Sequence, residues 1–124
     1  MFIIAKEFHF SASHVLQGLK EGHPCGRLHG HNYVVIVTLF APDLDKNGFV
    51  VDYNEFKPFK DYIDDKVDHR HLNDLWPFQP SAEKMAEYFY NKVQEEIPVL
   101  KQYIHSVTVK ETPKTAATYE PYNQ

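Results

Sequence analysis

The chain has 124 residues, 43 % apolar, 24 % charged and 15 % aromatic, which is the composition of a folded globular protein and excludes disorder over its whole length. Its formal charge of −4 includes no basic stripe, which argues against nucleic-acid binding, and no apolar run approaches the roughly 20 residues of a membrane helix. The single cysteine, Cys25, rules out an intrachain disulfide framework and fits a reducing compartment. With no leader-like segment at the start, the expectation is a soluble cytoplasmic protein whose residues 1–124 form one domain.

The elements follow from period and punctuation. Phe8 and Phe10 alternate with Glu7, His9 and Ser11, so the second half of residues 2–11 reads as a half-buried strand. Residues 12–28 carry Gly18, Gly22, Pro24 and Gly26 and read as a long loop, a kind of segment that is often functional. Residues 31–40 are rich in β-branched side chains and form the clearest strand. After a turn cluster around Asp45, Asn47 and Gly48, Asp52 caps a helix whose inward face is Phe56, Phe59, Ile63 and Val67, with Pro58 tolerable only near its start. Residues 68–80 are an irregular, His-rich connection. Ser81 caps a second helix with the stripe Met85, Tyr88, Phe89, Val93 and Ile97, stopped by Pro98. Residues 104–112 and 115–119 complete the set as strands. The order β-β-α-α-β-β predicts an α+β domain: a four-stranded antiparallel sheet with two helices on one face. Such a sheet leaves two open edges, which predicts assembly through edge pairing.

Eight histidines carry most of the chemical information. His29 and His31 stand two apart at the entry of a strand and point to one face, so both imidazoles can reach one ion. His14 follows the first strand, and an antiparallel neighbour brings it alongside. Three neutral imidazoles with one open position form a common catalytic zinc pattern, although imidazole suits other transition metals as well. Gly30 between them leaves room for a ligand or for another backbone. His9, His23 and His105 are read as ordinary surface histidines.

Cys25, four residues before His29, admits three readings: an inert thiol, a fourth ligand closing a structural zinc site, or a catalytic base beside an open one. In Asp68-His69-Arg70-His71 a carboxylate can orient an imidazole for proton transfer, and on spacing alone either His69 or His71 could be that imidazole. Glu111, at a strand end before Thr112 and Pro113, can accept two parallel hydrogen bonds from an amidine-like edge such as that of a pterin or guanine; an isolated solvated Glu is the plainer alternative.

Taken together, Phe10-Ser11-Ala12-Ser13-His14, Cys25-Gly26-Arg27-Leu28-His29-Gly30-His31-Asn32-Tyr33, Gly48-Phe49-Val50-Val51-Asp52-Tyr53, Leu72-Asn73-Asp74, Pro80-Ser81-Ala82-Glu83 and Val109-Lys110-Glu111-Thr112 resemble the 6-pyruvoyl-tetrahydropterin synthase family over nearly the whole chain. The short Cys-x₃-His-Gly-His gap is similar to the branch of that family that forms a 6-carboxy product in queuosine and 7-deazaguanine synthesis. The resemblance implies the tunnelling fold, with trimers or stacked hexamers and active sites between subunits. It implies Zn²⁺ on His14, His29 and His31, with Cys25 as proton acceptor and Asp68 with His69 as the relay. Glu111, with Thr112 beside it, would anchor a pterin ring, and Arg27 and Lys110 would meet a triphosphate. The implied reaction converts 7,8-dihydroneopterin triphosphate to 6-carboxy-5,6,7,8-tetrahydropterin, acetaldehyde and triphosphate. A pyruvoyl-forming or otherwise side-chain-cleaving pterin enzyme, or a non-catalytic zinc module, are the alternatives.

Overall fold

The computed structural model describes residues 1–122. Strand β1 (Phe2–His14) and strand β2 (His29–Ala41) form a long antiparallel pair, in register from Phe2 opposite Ala41 to His14 opposite His29. Strand β4 (Ile104–Thr112) continues the sheet against β2, and β5 (Thr115–Tyr119) closes that side against β4, both antiparallel. The α+β architecture is as expected, but among the described residues the sheet has five strands, not four: a further strand, β3 (Arg70–His71), stands outside β1 and gives the order β3-β1-β2-β4-β5. The extra strand runs parallel to β1 beside Ala12 and Ser13. Two residues have no period to read, and this strand exists only because the 68–71 segment docks on the edge of β1.

β1 and β2 also reach further than alternation suggested. Ser11-Ala12-Ser13-His14 lacks an apolar rhythm, yet Ala12 and His14 continue the inward row begun by Phe8 and Phe10. The same row on β2 is His29, His31, Tyr33, Val35, Val37 and Leu39, and on β4 it is Val107, Val109 and Glu111. Successive side chains alternate faces, so one face of the sheet is apolar at its centre and carries imidazoles and a carboxylate at one end.

The helical layer covers the apolar part of that face. Asp52 accepts a hydrogen bond from the Asn54 N–H (2.8 Å) and starts a tight 3₁₀ turn, Tyr53–Phe56. This winds into helix α1 (Lys57–Tyr62) and then a wide π turn, Ile63–Val67. Pro58 falls in the first turn of α1, where its missing N–H costs nothing. Phe56, Phe59, Ile63 and Val67 are all buried, so the expected face is right although the winding is uneven. The irregular connection contains one short turn of helix, α2 (Leu72–Leu75). Helix α3 (Ala82–Glu96) begins at Ser81, whose hydroxyl accepts from the Lys84 N–H at 3.2 Å, and buries Met85, Ala86, Phe89 and Val93. Phe89 meets Phe10 and Phe59 edge-on, and Phe10 stacks on Tyr33 at 4.8 Å between centroids. Stacked and edge-on aromatics fix the sheet end that carries the histidines. Among the described residues no helix is long and apolar enough to cross a membrane.

Candidate active site

His14, the last residue of β1, is fully buried, and its ring lies 4.5 Å from that of His29 and 5.2 Å from that of His31, centroid to centroid. One nitrogen from each of the three rings falls within a 4.8 Å cluster, the arrangement a metal ion needs. Hydrogen bonds decide which nitrogens are free. The Nδ1–H of His14 donates to the Pro80 carbonyl (2.8 Å) and leans toward Tyr33 Oη (3.3 Å). The Nδ1–H of His29 donates to the Arg27 carbonyl (2.7 Å). A carbonyl can only accept, so both rings carry their proton on Nδ1 and present a lone pair at Nε2. Those two Nε2 atoms are 2.9 Å apart. Two lone pairs at that separation repel unless a cation lies between them. The donor set therefore fits a metal, with the outer carbonyls orienting the ligand rings as metal-binding histidines require. Gly30 permits this close pairing of strands: a Cβ there would meet the Ala12 carbonyl oxygen at 3.2 Å.

Burial holds the pKa of His14 and that of His31 below the ordinary histidine value. The Tyr33 hydroxyl is pushed well up, chiefly by burial, and stays protonated. A neutral imidazole is the form that binds metal. The sign of the pH effect follows: unfolded histidine titrates near 6.5, so below that the unfolded chain takes up protons that folded His14 and His31 resist. Their contribution to stability is complete above about pH 6.5 and is lost as pH falls through the folded values. The thermal midpoint of the metal-free protein is expected to fall between about pH 7 and 5. A scan in the presence of a chelator checks this, and a flat or rising midpoint would contradict it.

Asp68 and His69 are set up by the end of the π turn. The Asp68 N–H donates to the Ile63 carbonyl (2.9 Å), and the chain then turns through His69 at φ +61°. A left-handed histidine is strained and persists only where its surroundings over-determine it. Here the backbone of Ser11 does so from the edge of β1: its N–H donates to Asp68 Oδ1 (2.9 Å), and its carbonyl accepts from the His69 N–H (2.7 Å). The bond from Ser11, ahead of that from His69, holds the Asp68 carboxyl below the usual carboxylate range. Asp68 Oδ2 is 2.9 Å from His69 Nδ1, which leaves Nε2 facing outward on a side chain that is 82 % exposed. His71 is turned elsewhere, its Nδ1 2.9 Å from Ser13 Oγ. Of the two imidazoles left open by spacing, only His69 is paired with the carboxylate. An open cleft of about 460 Å³ runs from His31 past Ser11, Ser13 and Asn32 to His69 and His71.

Cys25 lies half-buried on a short turn, Pro24–Gly26, pinned by Leu16 N–H donating to its carbonyl (3.0 Å) and by its own N–H donating to His23 Nδ1 (3.1 Å). His23, read as an ordinary surface residue, is thus the cap of the turn that carries the thiol. The thiol is not among the converging metal-ligand atoms. Arg27 lines a separate cavity of about 380 Å³ in the 15–27 loop, and its firmest contact with the triad is through its carbonyl. Glu111, two residues beyond Val109 on the inward face, brings Oε2 to 3.6 Å from His14 Nε2 and 4.0 Å from His31 Nε2. Thr112 faces the β4–β5 turn, bonded to Thr115 Oγ1 at 3.0 Å, and Lys110 pairs with Val34 in the sheet.

Sequence reasoning missed the residues that brace the site. Asn73 clamps the chain just after His14, donating to the Val15 carbonyl and accepting the Val15 N–H, both at 2.9 Å. Pro80 and Tyr33 fix the His14 ring. Asn73 and Pro80 both stood within the motifs already noted; nothing local marked their function, because each acts on a residue more than fifty positions away.

The sequence profile of the family described as 6-pyruvoyl tetrahydropterin synthase matches residues 3–122. The chain belongs to the 6-pyruvoyl tetrahydropterin synthase family. It is 33 % identical to a 6-carboxy-5,6,7,8-tetrahydropterin synthase of Bacillus subtilis, over 97 % of this chain and 86 % of that protein. It is 36 % identical to the Synechocystis protein of the same name, over 96 % of this chain and 93 % of the other. Among solved structures, the 6-pyruvoyl tetrahydropterin synthase of Caenorhabditis elegans superposes with a TM-score of 0.82 at 28 % identity, covering 98 % of this chain and 96 % of that one. The chain is an enzyme of the tetrahydropterin synthase family, with a three-histidine cluster able to hold a metal.

Proposed function

We propose that this enzyme is a zinc-dependent lyase that converts 7,8-dihydroneopterin triphosphate and one water to 6-carboxy-5,6,7,8-tetrahydropterin, acetaldehyde and triphosphate, in the direction of queuosine and 7-deazaguanine synthesis. The observation that carries this reading is the triad itself: three imidazoles converge, and those of His14 and His29 have their Nδ1 committed to backbone carbonyls. The relatives named for the carboxy product, and the short gap between Cys25 and His29, support that branch over the pyruvoyl-forming one.

His14, His29 and His31 would hold the ion, which when bound acts as a Lewis acid on side-chain oxygens of the substrate. The Cys25 thiolate accepts a carbon-bound proton. His69 returns protons from Nε2, held in register through Nδ1 by the ionised Asp68 carboxylate. Glu111 receives the amidine-like edge of the ring in two parallel hydrogen bonds and so aims the side chain at the triad. Arg27 and Lys110 are the candidates to meet the triphosphate, and Thr112, beside Glu111, is a further candidate substrate contact.

The exposed face of His69 and the stretch of β1 before Ser11 that β3 leaves unpaired support an assembly in which a neighbouring copy covers the cleft, a homotrimer or stacked hexamer with composite sites. Product analysis tests the reaction. Purified enzyme with 7,8-dihydroneopterin triphosphate is expected to release acetaldehyde and a 6-carboxy ring in equal amounts. A 6-pyruvoyl product without acetaldehyde would move the assignment to the other branch.

A further inference from the structure

We infer that Glu111 has two positions: in the substrate-free enzyme its carboxylate occupies the fourth place on the metal, and an arriving pterin ring draws it away, so that the metal opens only to a ring-bearing substrate. The inference rests on the pterin reading above and deepens it.

The geometry begins with what faces Glu111. Its side chain is 24 % exposed, and its Oε2 stands 3.6 Å from His14 Nε2 and 4.0 Å from His31 Nε2. Among the described residues it makes no hydrogen bond and pairs with no Lys or Arg. The Nε2 atom of His14 carries a lone pair, because its proton is on Nδ1 facing Pro80. A carboxylate set against a lone pair is unfavourable with nothing between them, and favourable with a dication there. With metal–nitrogen and metal–oxygen bonds of about 2.0–2.2 Å, adjacent ligand atoms in a tetrahedron are about 3.4 Å apart. The observed separations lie a few tenths of an ångström beyond this, within a small rotation of a side chain that no other partner holds.

The same carboxylate is the group proposed to bind the ring. Two parallel hydrogen bonds to the ring take both carboxylate oxygens, so ring and ion compete for the same group. Binding the ring therefore vacates the fourth position as the substrate's side-chain oxygens arrive. A small sugar or polyphosphate without the ring lacks the amidine-like edge that draws Glu111 off the ion. That is selectivity gained by coupling two contacts through one side chain.

Cobalt(II) placed on the triad reports its ligand set through its visible spectrum. The probe is unsubstituted pterin, which has the ring edge but no side-chain oxygens to coordinate. The wild-type cobalt spectrum is expected to differ from those of Glu111→Gln and Glu111→Ala, and saturating pterin is expected to move the wild-type spectrum toward theirs. In a chelator competition both variants should hold metal about tenfold or more weakly, at least the cost of losing an outer-shell partner. Circular dichroism checks that the variants are folded, and fluorescence quenching follows pterin binding independently. Identical spectra and affinities for wild type and variants would overturn the inference and leave the pterin reading standing. Pterin binding without a spectral change would overturn the exchange. Failure of pterin to bind at all would overturn the exchange together with the ring-anchoring role.

Discussion

His29→Ala protein is expected to purify folded but with roughly a tenth or less of the metal carried by wild type, since loss of an outer-shell partner alone costs roughly 10- to 100-fold in affinity and His29 supplies a direct ligand atom. His29 is the informative choice of the three. It is only half-buried, whereas His14 is sealed in the core and bonded to Pro80, so His14→Ala would leave a cavity and loosen the fold as well. Metal content read by mass spectrometry, beside a circular-dichroism melt, separates loss of ligand from loss of structure. Turnover should fall with the metal. Near-stoichiometric metal in folded His29→Ala protein would remove His29 from the ligand set.

For Cys25→Ala the expectation is the opposite split: metal retained, turnover reduced by about 10²- to 10⁴-fold, the usual contribution of a positioned general base. The thiol stands outside the converging atoms, which is what separates a catalytic base from a fourth structural ligand. The turn that carries it is held by backbone groups and by His23, none of which the substitution touches, so the loop should keep its shape. Loss of metal on removing the thiol would indicate a closed four-ligand site and return the protein to a structural role.

What could be read in the sequence was the part governed by local period. The inward rows of β2, β4 and α3 follow alternation or helical spacing, and the His-x-His pair follows from the strand it opens. Tertiary docking governed the rest. Ser-Ala-Ser-His has no apolar rhythm, so the sequence alone puts His14 after the strand; in the fold it is paired, with the rest of β1, against β2. The fifth strand, Arg70–His71, is made by the edge of β1 and has no sequence signal of its own. The choice between His69 and His71 was invisible to spacing, since it rests on the Ser11 backbone holding one of them in a left-handed turn. Glu111 could be recognised as a strand-end carboxylate, but its approach to the triad depends on the β2–β4 register, which no local pattern encodes. The carbonyls of Arg27 and Pro80 that set the tautomers are backbone groups and leave no mark in the sequence at all.

Metal dependence and side-chain cleavage meet in a single titration. Metal-stripped enzyme is supplied with 7,8-dihydroneopterin triphosphate, zinc is added in steps, and acetaldehyde release is followed at each. Activity is expected to rise in proportion to zinc and to level off at one ion per chain, with one 6-carboxy-5,6,7,8-tetrahydropterin formed for each acetaldehyde. Full activity in the stripped enzyme, or no acetaldehyde once every chain carries its ion, would contradict a lyase built on His14, His29 and His31.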